Sequence, residues 1–526
     1  MKTRTKFFLV VIALSVCCIP LFAQISEGGL PPSFQYEKKG SSLRASDSNE
    51  AHIILPINFD VKQLIAEDKE AEAAGESINC AKIIPVDLTM ENSGVWSTLS
   101  NGQEVWQLTI EAPKAIALLL YYRDFYIPQG GKLFIYNKEK TQVLGAYNHT
   151  TNAAGRGFAT EFVAGDLLTL EYVSPTGEAS VDLPRIRIEG VSYGYNHLNV
   201  YTREKEGEEA ATYPCYVNIV CSPEGDDWQN EAAGVVRIIF RKMTGTSSLC
   251  SGSMINNTKG DFAPYMLTAF HCVRETDAST LDQAVFYYNY NSASCSSNTA
   301  PATTQTVAGA QAKVETGDGY SDGALLLLNS NVPESYNPYF NGWDVTGTVV
   351  TGTMGIHHPA GDVKKISYSE FAVTHTKWTG DLVDGTHWRV PKYTETPNGK
   401  SIVEGGSSGS PLFSVGEHLI IGTLHGGHTV EVCENFELRY SSYGKLWFDW
   451  DQMTNPDLHM KTYLDPESTG ALKLPGSAYT STGTYTVTFS VTDGADGTPI
   501  TNARITFNDV TNAAGNYTFT GVTAPR

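Results

Sequence analysis

Residues 405–413 read GGSSGSPLF, from Gly405 to Phe413. Small residues on both sides of Ser408 permit a tight turn that exposes a hydroxyl and aims backbone N–H groups at a developing oxyanion. Ser407 and Ser410 fit such a turn as well as Ser408. A flexible Gly/Ser loop has the same composition, so the reading needs partners elsewhere in the chain.

Upstream, LTAFHC (267–272) ends an apolar strand on His271 and Cys272. Between the two motifs lies SDGALLLL (321–328), in which Asp322 precedes a buried run. An aspartate at the mouth of a strand is shielded and fixes an imidazole in one tautomer. Asp318 is the alternative, set among Gly and Tyr in a turn. The order His271, Asp322, Ser408 is one of the three known chain orders of a nucleophilic triad.

The surroundings are β-rich. In VWQLTIEA, Trp106, Leu108 and Ile110 alternate with polar neighbours, as in a half-buried strand. AIALLLYY, KLFIYN, VLGAYNH, DLLTLEYV and RIRIEGV follow, separated by turn signals such as PQGG. This spacing predicts a β-sandwich within residues 24–205. EDKEAEAAGE, before it, reads as a weakly structured entry. The charged run REKEGEE reads as an exposed linker, with Arg203 and Lys205 open to a processing cut. A second β-region spans 206–474. Residues 475–526 alternate again, with Tyr485, Val487, Phe489 and Val491 on one face, and predict a short immunoglobulin-like β-module.

The 526 residues carry 57 acidic and 37 basic side chains, a net charge of −20, which disfavours nucleic acid or anionic membrane as a partner. Residues 1–23 have the basic start, apolar run and small residue (Ala23) of a secretory signal; Val16 before Cys17 fits a lipoprotein signal poorly. No later run is apolar enough to span a bilayer. Export permits disulfides, and Cys215, Cys221, Cys250, Cys272, Cys295 and Cys433 form an even set, with 15 pairings open. Cys80 stands apart. No zinc spacing occurs, and His357-His358 on a strand point to opposite faces, so neither metal nor cofactor is expected.

From Cys215 to Gly470 the chain resembles the bacterial lysyl endopeptidases, a branch of the chymotrypsin-like serine proteases. The motifs that carry this are CYVNIVCSPEGDDW, LCSGSMINNT, LTAFHC, YYNYNSASC, SDGALLLL, NGWD, GIHHPAGDVKKIS, GGSSGSPLF, GTLHGGH and LDPESTGA, in that order. The resemblance implies a mainly β chain with a double β-barrel, His271, Asp322 and Ser408 as the triad, and Gly406 and Ser408 N–H groups as the oxyanion hole. It implies disulfides Cys215–Cys433, Cys221–Cys295 and Cys250–Cys272. Trp378 and His425 match an aromatic–imidazole pair beside the catalytic histidine, and Gly426 and Gly427 extend that substrate-binding wall.

One departure bears on specificity. Family members place an aspartate before a Tyr-Gly pair, where it receives a substrate lysine. Here Ser441 stands two residues before Tyr443-Gly444, and Ile402, six before Ser408, is not acidic either. A buried ammonium without a carboxylate is costly. Unless Glu431, Glu434 or Glu437 reaches the pocket, the chain is expected not to be a strict lysine cutter. Ser407 replaces the aspartate that usually pairs with a new N-terminal amine, so activation is expected through release of the N-terminal region in cis. The expected substrates are proteins or peptides, outside the cell. The competing expectation is a secreted adhesive protein with a vestigial protease domain.

Overall fold

The computed structural model describes residues 13–14, 26–38, 51–73, 75–99, 103–152, 155–175, 182–198, 215–297, 299–301, 305–427 and 439–479, with short pieces of 484–523. Residues 23–479 form one compact unit, and residues 1–22 with 480–526 form another. In the second unit Thr484–Ser490 pairs antiparallel with Thr518–Thr523. The burial expected for Tyr485, Val487 and Phe489, the placement of Val491, and the linker around Arg203 and Lys205 fall outside the described residues.

The first part of the large unit is a sandwich. Glu104–Glu111 lies between His52–Ile54 and Leu167–Val173, and Lys132–Asn137 and Val143–Tyr147 complete that layer. Trp106, Leu108 and Ile110 are buried while Gln107 and Thr109 are only half-buried, as alternation dictates. They face Leu118, Leu120, Tyr122, Ile186 and Ile188 of the opposite layer. The entry before the sandwich is better ordered than its composition suggests. Val61–Ala73 is a helix, because its Ala- and Glu-rich end favours one and Leu64 and Ile65 pack against the sandwich core.

Two strand rings follow. In the first, Ala310–Glu315 pairs Gly323–Leu328, which pairs Tyr265–Ala269, then Thr246–Met254, Val235–Arg241, Val285–Tyr288 and Gln305–Ala308. Gly309 joins the last strand back to the first, closing the ring around Ile238, Phe240, Phe286 and Leu326. In the second, Lys365–Ala372 is followed by Thr351–His357, Pro411–Ser414, Ile420–Gly427, Ser441–Lys445, His387–Val390 and Thr374–Thr376. The chain is therefore mainly β with two barrels.

The sandwich and the first barrel are not separated by a gap in packing. Ile78–Thr89 pairs with Arg185–Gly194 on one side and with Thr246–Leu249 on the other. Tyr121 and Ser192 both hydrogen-bond the buried Ser247 hydroxyl, at 2.8 and 2.7 Å. Cys80 lies buried and free at this junction.

Cys250–Cys272 and Cys221–Cys295 are disulfides. Cys215 is also disulfide-bonded; Cys433, its expected partner, lies outside the described residues. Cys250–Cys272 closes a separation of 22 residues and ties the strand Thr246–Met254 to the short helix carrying His271. Replacing both cysteines by serine is expected to lower unfolding free energy by about 3 kcal/mol, read by denaturant titration against the parent chain.

Candidate active site

His271 sits in the one-turn helix Phe270–Val273 at the end of the strand Tyr265–Ala269. A buried lysine holds that turn. Lys242 Nζ donates to the carbonyls of Cys272 (2.7 Å) and Arg274 (2.6 Å). Burial lowers its pKa to about 8.

Asp322 approaches from the adjoining strand Gly323–Leu328. It adopts φ +57°, a left-handed conformation uncommon for a residue with a side chain. The bend lets one carboxylate grip His271 twice. His271 N–H donates to Oδ1 at 2.8 Å, and Nδ1 donates to Oδ2 at 2.6 Å. Burial acts to raise the Asp322 pKa, but His271 and His425 and these hydrogen bonds outweigh it, and the carboxyl lies below its usual range. Asp318, the alternative, is largely exposed and pairs with Arg274.

Ser408 is buried in the turn before the strand Pro411–Ser414. Its carbonyl accepts from Ser251 N–H at 2.8 Å, which fastens the turn of the second barrel to the wall of the first. Gly409, at φ +80°, admits no side chain, since a Cβ would overlap Thr268 Oγ1. The Gly405 carbonyl accepts from Ala360 N–H at 2.7 Å. The Gly406 N–H belongs to the same peptide and points the opposite way. Nε2 of His271 is buried and makes no hydrogen bond.

Behind Asp322 the rings stack. Trp378 lies 4.2 Å from His425, and His425 lies 5.6 Å from His271, each at 21°. Gly426 is required there, because its Cβ would come within 2.7 Å of Trp378 Cη2. Gly427 backs onto Ser441, whose buried hydroxyl accepts from Tyr393 at 2.9 Å. Glu431, Glu434 and Glu437 lie outside the described residues.

Several residues at the site escape sequence reasoning. His357 hydrogen-bonds the Ser407 hydroxyl at 2.8 Å and Ser367 at 2.6 Å, bracing the turn before Ser408. Burial holds its pKa down at about 3, so it is neutral. His387 and Asp381 stand behind His425. Only proximity in space connects them to the triad order, and spacing carries no signal of it. Gly444 presses on the loop that carries Asp322, since a Cβ there would overlap the Ser321 carbonyl. Gly444→Ala is expected to cost about 1–3 kcal/mol through that collision and to displace Asp322; denaturant unfolding and the His271–Asp322 distance in a crystal structure check it.

Part of the chain is similar to known proteins. Residues 210–444 match the family model described as lysyl endopeptidase, C-terminal domain. The lysyl endopeptidase of Pseudomonas aeruginosa is 27% identical over 283 residues, 52% of this chain and 58% of that protein. The chain thus spans somewhat over half the length of this relative. Among solved structures, a thermostable serine protease from an extremophilic microorganism is 14% identical over 41% of this chain and 92% of its own, with a TM-score of 0.29. A protease from M. tuberculosis in its active form is 15% identical over 45% and 88%, with a TM-score of 0.28. Residues 210–444 of this chain are thus similar to the C-terminal domain of lysyl endopeptidases.

Proposed function

We propose that the chain is the precursor of a secreted serine endopeptidase that cleaves proteins or peptides through Ser408, His271 and Asp322. The observation that carries this is the double grip of Asp322 on His271, with Nδ1 donating at 2.6 Å. With Nδ1 protonated, Nε2 is the ring's basic atom and takes the Ser408 proton as the hydroxyl attacks the peptide carbonyl. The Gly406 and Ser408 N–H groups receive the oxyanion, His271 protonates the leaving amine, and water hydrolyses the acyl-enzyme. The steps draw only on this chain's own groups. The N-terminal signal carries the chain out of the cell; among the described residues no helix is long and apolar enough to cross a membrane.

The N-terminal region acts in cis as a pro-region. The end of its helix lies on the cleft. Glu72 Oε1 and Ile78 sit where a side chain on Gly405 would be, and a Cβ on Gly75 would lie 3.5 Å from Trp378 Cζ2. Glu76 pairs with Arg274, three residues after His271. These contacts obstruct a substrate, and the His271 Nε2 still lacks a hydrogen bond. Removal or release of this region activates the enzyme.

Ser441 leaves the specificity pocket without the family's acid at that position. Its hydroxyl hydrogen-bonds an ammonium but does not neutralise it, so lysine at P1 is not strictly required.

Ser408→Ala is expected to abolish turnover and fluorophosphonate labelling while the unfolding transition stays in place. Capture of the probe by the processed wild-type form supports the enzyme; no capture favours an adhesive protein with a vestigial protease domain. Across peptides with Lys, Arg, Leu, Phe and Ala at P1, lysine is expected to lead by less than about a hundredfold in kcat/KM, or about 2.7 kcal/mol.

The docked segment is expected to loosen as pH rises. Burial pushes the Glu404 pKa up to about 8; Glu72 and Asp362 add to this, and Arg439 and Lys365 oppose it. A carboxyl raised on docking stabilises the docked state while protonated, and that contribution is lost as pH passes through the raised value. Exchange of the amides of residues 72–79, corrected for the intrinsic pH effect, should therefore quicken from the ordinary carboxyl value of 4.5 up to about 8 and level off above it. In Glu404→Gln that profile should be shallower, leaving the part due to Glu72, whose carboxyl pKa burial also raises.

A further inference from the structure

Behind the His271–Asp322 pair runs a second aspartate–histidine pair, on a segment that the triad motifs do not touch. Asp381 is buried in the loop 378–386, and His387 begins the strand His387–Val390. Three groups converge on one oxygen of Asp381. Trp378 N–H donates to Oδ2 at 2.7 Å, the Thr386 hydroxyl donates to it at 2.9 Å, and His387 Nδ1 lies 3.1 Å from it. The other nitrogen of His387, Nε2, is 2.9 Å from His425 Nδ1. His425 Nε2 in turn lies 3.7 Å from Asp322 Oδ2, the oxygen that His271 uses.

The proton positions follow from this network. Thr386 Oγ1 also lies 2.8 Å from His387 Nδ1; a bare Nδ1 would set its lone pair against the Asp381 carboxylate, so Nδ1 carries the proton and the Thr386 hydroxyl gives its own to Asp381. With its proton on Nδ1, the His387 imidazole presents Nε2 as an acceptor, and His425 donates to it from Nδ1. Burial lowers the His425 pKa to about 4, with the Asp322, His271, His387 and Asp381 charges around it, so the ring is neutral. Its proton being on Nδ1, its Nε2 is a bare lone pair toward Asp322.

We propose that Asp381 and His387 are positioning residues that lock His425 in its Nδ1–H tautomer and so reserve Asp322 Oδ2 for His271. Without the lock, His425 is free to carry its proton on Nε2 and donate to Oδ2. Two donors then share one oxygen, the carboxylate charge is divided between them, and the imidazolium that forms on His271 is less well stabilised. The same hydrogen bond fixes the His425 ring plane between Trp378 and His271, which keeps water from Asp322. Chemistry remains with Ser408 and His271; the second pair acts through His425.

This inference rests on the triad reading for its kinetic consequence, but its proton positions can be measured without turnover. The test uses the full chain labelled with 15N-histidine. The wild-type spectrum should place the His425 proton on Nδ1 and show a low-field proton for the His271–Asp322 hydrogen bond. His387→Leu, which removes the acceptor, should move the His425 proton to Nε2 and shift the low-field resonance upfield. His387→Gln, which keeps an acceptor oxygen, should restore much of the wild-type pattern. Asp381→Ala and Asp381→Asn form a second pair with the same logic, should a His387 variant not fold. In the processed form, His387→Leu should lower kcat about tenfold with KM within about twofold. A His425 proton found on Nε2 in the wild type overturns the proposal. So does a folded His387→Leu chain whose low-field resonance and kcat match wild type. A chain with the expected spectra and no turnover at all instead overturns the endopeptidase reading and leaves the lock standing.

Discussion

The site depends on one carboxylate held in an uncommon backbone conformation. Asp322 takes φ +57° at the start of a strand and meets His271 through both the backbone N–H and the ring. Two hydrogen bonds from one residue fix position and orientation together, where one would leave the ring free to swing. The bend is held from outside. Gly444 presses on the Ser321 carbonyl, and Phe270 N–H donates to the Asp322 carbonyl at 2.7 Å. Surrounding packing thus over-determines a conformation that costs energy in isolation.

The two barrels divide the labour. The first supplies His271 and Asp322 from adjoining strands, so their relative placement is set by strand register. The second supplies Ser408, whose turn is fastened to the first barrel by Ser251 and braced from beneath by His357. Ser408 and His271 therefore come from different barrels, on either side of that contact. The disulfide Cys250–Cys272 and the buried Lys242 both act on the first barrel's half, where a one-turn helix has too few hydrogen bonds of its own to hold the His271 ring.

The same contact brings an N-terminal segment to the site. The strand Ile78–Thr89 extends the first barrel's wall at Thr246–Leu249. Just before it, Glu72 lies against Gly405 and Gly75 lies toward Trp378. β-pairing delivers this covering segment. The carboxyl groups of Glu72 and Glu404 meet in this cover, and their mutual cost makes it weaker than an apolar one.

The sequence by itself determined what depends on local pattern and chain order. Alternation at Trp106, Leu108 and Ile110 marked a strand, because burial on one face demands period two. The order of His271, Asp322 and Ser408, together with the glycine-flanked turn, marked the candidate chemistry, because such a turn tolerates few other residues. Tertiary structure alone decided the rest. The helix over Val61–Ala73 was hidden because its polar composition resembles an unstructured entry, and packing against the sandwich is what orders it. The joining of sandwich and barrel at Ser247 was invisible because strand pairing between Ile78–Thr89 and Thr246–Met254 links residues 167 apart in sequence, at Cys80 and Ser247. Asp381, His387 and His357 were missed for the same reason. A hydrogen bond needs its atoms about 3 Å apart, and only the folded second barrel brings those side chains to His425 and Ser407.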